Sequence, residues 1–191
     1  MRHALLLVLM LGLAACRDEV AQDTAPVEMN AQTLGHFCQM NLLEHPGPKA
    51  QVHLEGMPGT PLFFSQVRDA IAYARMPEQS HPILAIQVND MGAPGATWDD
   101  PGQGNWIAAE DAFFVMGSVQ AGGMGAPEAV PFSSREAAEA FVAAQGGQVM
   151  RLDAIPDEMV LAPEETVPDS GTEADFMNRL RALSQPKEPA T

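Results

Sequence analysis

The chain is expected to adopt an α+β fold of two tandem ββαβ units, each a small sheet backed by one helix. Three observations carry that expectation. Apolar or alternating runs of strand length occur at 50–57, 62–64, 83–88, 112–118, 129–132 and 148–154. Two stretches, 65–76 and 133–145, repeat their apolar residues at helical spacing instead. The order Phe-Ser-helix-strand then occurs twice, beginning at Phe64-Ser65 and at Phe132-Ser133.

The first fifteen residues stand outside that plan. Arg2 gives a positive start, Leu5 to Leu13 an apolar run, and Leu13-Ala14-Ala15-Cys16 a small-residue cleavage site followed by cysteine, so 1–15 reads as a lipoprotein signal peptide. The run is too short to span a bilayer as a helix. Cleavage leaves Cys16 as a lipidated N-terminus, and Arg17 after it resembles lipoproteins passed on to the outer membrane. Residues 16–32, rich in Asp, Glu, Gln, Ala and Pro, read as a tether between lipid and folded domain.

The first unit is assigned to 33–90. Within it 50–57 alternates, with Val52 and Leu54 expected inward and His53 and Glu55 toward solvent. Leu62 to Phe64 gives a second strand, and Ser65 an N-cap for a helix whose buried stripe is Val67, Ala70, Ile71 and Ala74. Pro77 ends it. Ile83 to Val88 is almost wholly apolar, as a strand buried on both faces would be. Residues 91–105 form a long connecting loop around Trp98; Asp90 just before it and Asp99 and Asp100 within it match no EF-hand spacing.

The second unit is assigned to 106–161. Its helix carries Ser133 and Glu136 as a capping box and Ala137, Ala138, Phe141, Val142 and Ala144 as a stripe, with Gly146-Gly147 as the stop. In the last strand Met150 and Leu152 face inward. Residues 162–191 read as an acidic, Pro-rich, disordered tail with at most a transient helix over 174–183.

Charge and cysteine count narrow the function. A formal net charge of −15 repels nucleic acid and anionic lipid, so membrane attachment falls to acyl chains. The chain has two cysteines, and lipid on Cys16 leaves Cys38 without an intramolecular partner. A lone thiol in an oxidising compartment is a liability unless something uses it. Gly35, His36, Gln39 and Asn41 around it are not core residues. Met40 lies two positions on, and His36 and His45 stand on either side. Residues two apart share a side only in extended chain, so both sulfurs are expected to project together from an extended segment. Such a soft-donor pair with an imidazole in reach suits Cu(I) rather than hard cations. Met124, among glycines 122, 123 and 125, is a further candidate donor, and Met91 a weaker one.

The lipobox 13–16, Gly-His-Phe-Cys-Gln-Met at 35–40, His-Pro-Gly-Pro-Lys-Ala-Gln at 45–51, Gly-Asn-Trp-Ile at 104–107 and Gly-Gly-Met-Gly-Ala at 122–126 together resemble the NosL-type copper-binding lipoproteins. These accompany nitrous oxide reductase in denitrifying bacteria. The resemblance covers about 33–153. It implies a non-enzymatic Cu(I) metallochaperone on the periplasmic side, with a copper donor or membrane transporter complex and the reductase as partners. It carries the Cys-x-Met ligands to Cys38 and Met40, the methionine of the glycine turn to Met124, and an imidazole ligand to His36 or His45. The family often has Cys-Gly-Met, where this chain has Gln39 between the sulfurs. Two other classes are open to the residues alone. One is a thiol enzyme with Cys38 as nucleophile and a nearby histidine as base; the other is a lipoprotein that only anchors an assembly.

Overall fold

The computed structural model describes residues 21–161. Strands β1 (Ala50–Leu54), β2 (Leu62–Phe64), β3 (Ile83–Asn89) and β4 (Trp106–Ala108) form one antiparallel sheet in the order β2-β1-β3-β4, with helix α1 (Val67–Arg75) between β2 and β3. Strands β5 (Phe113–Met116), β6 (Val130–Phe132) and β7 (Gln148–Arg151) form a second, in the order β6-β5-β7, with helix α2 (Arg135–Gln145) between β6 and β7. The strand-strand-helix-strand order therefore occurs twice, in a mixed fold with two small antiparallel sheets. The signal-peptide, lipidation and tail expectations for 1–20 and 162–191 lie outside the described residues.

The unit boundary expected at residue 106 falls one strand early. Trp106–Ala108 pairs with the first sheet, Ile107 opposite Val88, and only after it does the second sheet begin. Nothing local assigns three residues to one sheet rather than the other; the pairing with β3 does. Nor does each helix back its own sheet alone. Val67, Ala70 and Ile71 of α1 join Val52, Leu54 and Val88 of one sheet and Phe114 and Met116 of the other in a shared core. Alternation along β5 divides its side chains: Phe114 and Met116 enter that core, while Val115 faces a smaller one with Val130, Phe132 and Ala138 of α2. Phe141 and Val142 flank this second core, but Ala144 of the expected stripe is exposed. Met91, a candidate donor by sequence, packs there too.

Both expected helix caps shift by one residue. Ser134, not Ser133, caps α2, its side chain accepting from Ala137 N at 3.2 Å. At α1 the cap position is Gln66, and Ser65 is buried in front of it. The strand burial also departs from expectation in two places. Leu84 in β3 is exposed, so only Val88 and Asn89 at its end are fully buried. In β1 every residue is buried, and His53, expected in solvent, is 1% exposed.

The cause is the supposed tether. Gln22 Nε2 donates to Leu54 O at 2.8 Å and its Oε1 accepts from Gly56 N at 2.8 Å. Val27 and Gln51 exchange two bonds: Val27 N donates to Gln51 Oε1 at 2.8 Å, and Gln51 Nε2 donates to Val27 O at 3.1 Å. Glu28 Oε2 accepts from Gly104 N, and Met29 is buried. Residues 22–29 thus cover the second face of the sheet, and the polar half of the β1 alternation meets backbone and carboxamide rather than water. Burial holds the His53 pKa below its ordinary value, against the opposing charge of Asp23.

Candidate metal-binding site

Residues 34–41 form a tight turn closed by the Leu34–Asn41 bridge, with Gly35 N donating to Met40 O at 3.0 Å and Gln39 N to Gly35 O at 2.8 Å. The extended conformation expected for Cys38-Gln39-Met40 is therefore corrected. Gln39 has φ +55°, the one positive φ outside glycine among the described residues. Its side chain supports that conformation by donating from Nε2 to His36 O at 2.7 Å. A side chain at Gly35 would displace Cys38 Sγ and approach Leu42 to 3.2 Å, so glycine here leaves the thiol its place. Cys38 is half-buried and, among the described residues, unpaired, its Sγ 4.0 Å from Met40 O. The thiol is not sealed in the core, and Met40 beside it is exposed.

The other candidates sit on neighbouring loops. Met124 lies in the 121–127 turn, where the Ala121–Pro127 bridge and the Gly122 N to Ala126 O bond of 2.7 Å close the chain, and its side chain is 45% exposed. His45 follows a 3₁₀ turn, Leu42–Glu44, capped by Asn41. Its Nδ1 is 3.1 Å from Gly123 O. A carbonyl accepts only, so Nδ1 carries the proton and the Nε2 lone pair is left for a ligand. A side chain at 123 would meet Pro46 O at 2.7 Å and His45 Cβ at 3.0 Å, so the two loops touch through glycine. His36 is placed differently. Its N–H donates to Phe63 O at 2.6 Å, and its ring lies 5.5 Å from Phe64 and 5.5 Å from Tyr73 in edge contacts.

One short stretch supports both sulfur-bearing turns. Phe63 and Phe64 hold the Cys38 turn through His36, while Ser65 and Gln66 hold the Met124 turn: Gly123 is seated against Ser65 O, and Met124 N donates to Gln66 Oε1 at 2.7 Å. Three peptide steps separate Phe63 from Gln66, at most about 11 Å of chain. The structure thus places Cys38 and Met40 in one turn, His45 against the turn of Met124, and both turns on the end of β2.

Three residues not anticipated from the sequence lie beneath. Lys49, 1% exposed, donates from Nζ to Pro46 O at 3.0 Å and to Gly47 O, which fixes the Pro-Gly-Pro turn after His45; burial pulls its pKa down to about 8 against the attraction of Glu128. Glu128 is fully buried. Burial pushes its pKa up to about 8, opposed by the N–H groups of Arg68 and Ala129 that donate to Oε1 at 2.9 and 2.8 Å. Gln66 is the third. A buried Lys, Glu or Gln carries no sequence signal, since these residues are ordinarily exposed.

The aspartates do not form a site. Asp90 Oδ1 accepts from Gly92 N and Ser133 N, and among the described residues no three of His, Cys, Asp and Glu are grouped to hold a metal ion. What remain as candidate donors are a thiol, two exposed thioethers and an imidazole nitrogen, residue types that suit a soft monovalent cation better than an oxygen-seeking one. The fold and site define a class: a two-sheet α+β domain that displays soft metal donors on loops bound to one sheet edge.

The NosL family model matches residues 26–160, and the chain belongs to the NosL family. It is 63% identical to the copper-binding lipoprotein NosL of Achromobacter cycloclastes over 97% of this chain and 96% of that one. To the copper-binding lipoprotein NosL of Stutzerimonas stutzeri it is 30% identical over 82% and 80%. The crystal structure of the copper chaperone NosL from Shewanella denitrificans superposes with a TM-score of 0.64 at 31% identity, covering 70% of this chain and 96% of that one. The family match begins at residue 26, within the segment that covers the sheet, and ends at 160 in the last helical turn.

Proposed function

We propose that this protein is a lipid-anchored Cu(I) metallochaperone, not an enzyme, that carries copper on Cys38, Met40 and Met124 with one imidazole. Acylation at Cys16 holds it on the periplasmic side, at the outer membrane. Its copper goes to assembly of the copper centres of nitrous oxide reductase, received from a copper donor or membrane transporter complex. Copper binding and lipid anchoring are supported by relatives that bear both in their names. The observation that carries the reading is the half-buried Cys38 thiol in a turn with exposed Met40, bound to the same strand end as the turn of Met124.

Of the two histidines, His45 is the better donor. Its Nδ1 is engaged by the carbonyl next to Met124, which orients Nε2, whereas the ring of His36 is engaged by aromatic faces. Cu(I) passes between proteins by ligand exchange, each donor of the partner replacing one of these in turn. Exposed thioethers on loops permit that replacement without release of the free ion. Because the thiol gives up its proton to bind, affinity falls as pH falls.

Competition with a chromophoric Cu(I) chelator under reducing conditions tests this. Cys38→Ser is expected to abolish tight binding, and Met124→Leu to weaken it with the fold intact. Unchanged affinity of the Cys38→Ser protein would end the proposal.

A further inference from the structure

An N-cap side chain ordinarily accepts from the N–H of the second or third helical residue. Helix α1 begins otherwise. Gln66 occupies the cap position with φ −135° and ψ 140°, is fully buried, and its side chain makes no cap bond to the helix. The N–H of Arg68 is taken instead by Glu128 Oε1 at 2.9 Å, a carboxylate sixty residues further along the chain. Relieved of capping, Gln66 turns its Oε1 to the N–H of Met124 at 2.7 Å.

We propose that Gln66 is a positioning residue for copper binding, which fixes the backbone at Met124 so that its thioether is presented to the Cys38 turn. Among the described residues, the bond to Met124 N is the one hydrogen bond of this carboxamide. Its buried Nε2 has no partner among the described residues, a cost that an apolar residue of the same size would avoid only by leaving the Met124 N–H without its acceptor. The turn above it needs holding: glycines at 122, 123 and 125 leave the chain free to sample many conformations, and Gly125 is at φ +85°. Gly122 sits directly on the support, since a side chain there would reach within 2.6 Å of Glu128 Oε2 and 2.8 Å of Gln66 Cδ. The main chain at Met124 is thus fixed, while its side chain, 45% exposed, stays free to meet a metal. Supports that hold a metal ligand in place are typically worth ten- to a hundred-fold in affinity, and this one acts through the main chain of the ligand residue.

The inference rests on the reading of Met124 as a ligand, and a double-variant cycle separates the two. Cu(I) affinity by chelator competition and sulfur count by X-ray absorption are measured for the full chain, Gln66→Leu, Met124→Leu and the double variant. Gln66→Leu is expected to weaken binding by the same factor as Met124→Leu, roughly tenfold or more, and to lose one sulfur from the copper shell. The double variant is expected to be no weaker than either single one. Additive losses, or wild-type affinity and sulfur count in Gln66→Leu, would overturn the inference. If Met124→Leu alone binds as wild type, the ligand reading fails instead. Amide exchange in metal-free protein tests the support by itself: the Met124 N–H is expected to exchange more slowly than that of Gly123 in the wild type and to lose this protection in Gln66→Leu. Equal exchange rates at Met124 and Gly123 in the wild type would refute the support even if the variant does not fold.

Discussion

Glu128→Gln is expected to raise stability near neutral pH and to flatten its dependence on pH. The glutamine keeps an oxygen for the N–H groups of Arg68 and Ala129, at 2.9 and 2.8 Å from the present carboxylate, so the cap on α1 survives. What disappears is the titration. Burial raises the Glu128 pKa from 4.5 to about 8. Between those values the folded state keeps a proton that the unfolded state has released, so stability falls as pH rises through the window. The slope is about 1.4 kcal/mol per pH unit. From about pH 5 to about pH 7.5 the wild type should lose on the order of 3 kcal/mol that the variant retains. Lys49 adds to the contrast: its lowered pKa of about 8 makes stability rise as pH climbs from there toward 10.5, and without the attraction of Glu128 that rise begins at lower pH in the variant. Urea unfolding of the two metal-free proteins at several pH values gives the difference profile, in which all shared carboxylates cancel. A variant whose stability tracks the wild type in parallel across the window would refute the buried-acid account.

Gln39→Gly is expected to change stability by less than about 1 kcal/mol: relief of a left-handed residue, roughly 1 kcal/mol, is offset by the lost bond to His36 O and by the freer unfolded chain, each worth roughly that much or less. Thermal unfolding checks it, and a loss of several kcal/mol would show that the glutamine side chain builds the turn. Gly123→Ala places a methyl 2.7 Å from Pro46 O and 3.0 Å from His45 Cβ, which must drive the loops apart. Cu(I) affinity is expected to fall roughly tenfold as His45 loses the carbonyl that orients it; retained affinity would remove His45 from the donor set.

Much of the architecture was legible because apolar periodicity is a local property. The strand runs around Val52, Phe64, Val88 and Phe114 and the helical stripe of Val67, Ala70 and Ile71 all lie in the core they imply. The misread elements were decided by distant partners. His53 alternates as a surface residue does, yet Gln22 and Val27 bring chain across its face. Ser65 is a good cap by composition, yet Glu128 reaches the helix first. The site divides in the same way. Cys38, Met40 and Met124 could be singled out by residue type, since sulfur among glycine and polar residues has little to do in a core. The contact of His45 with Gly123, and the support from Gln66, join residues 78 and 58 apart in sequence, and no spacing rule finds such pairs.

The residues that lie along the first sheet would also set how far a lipid anchor at Cys16 lets the domain travel. A leash is measured from the last point at which the chain is gripped, here Gln22 at Leu54 and Gly56. Six residues from an acylated Cys16 reach about 21 Å at full stretch. The gripped end of β1 is also the end opposite Ala50, from which the chain runs back through Lys49 and Pro46 to His45. Five residues of strand, roughly 17 Å, lie between that grip and the approach to His45, so a leash from Cys16 would join the sheet at the end away from Cys38, Met40 and Met124.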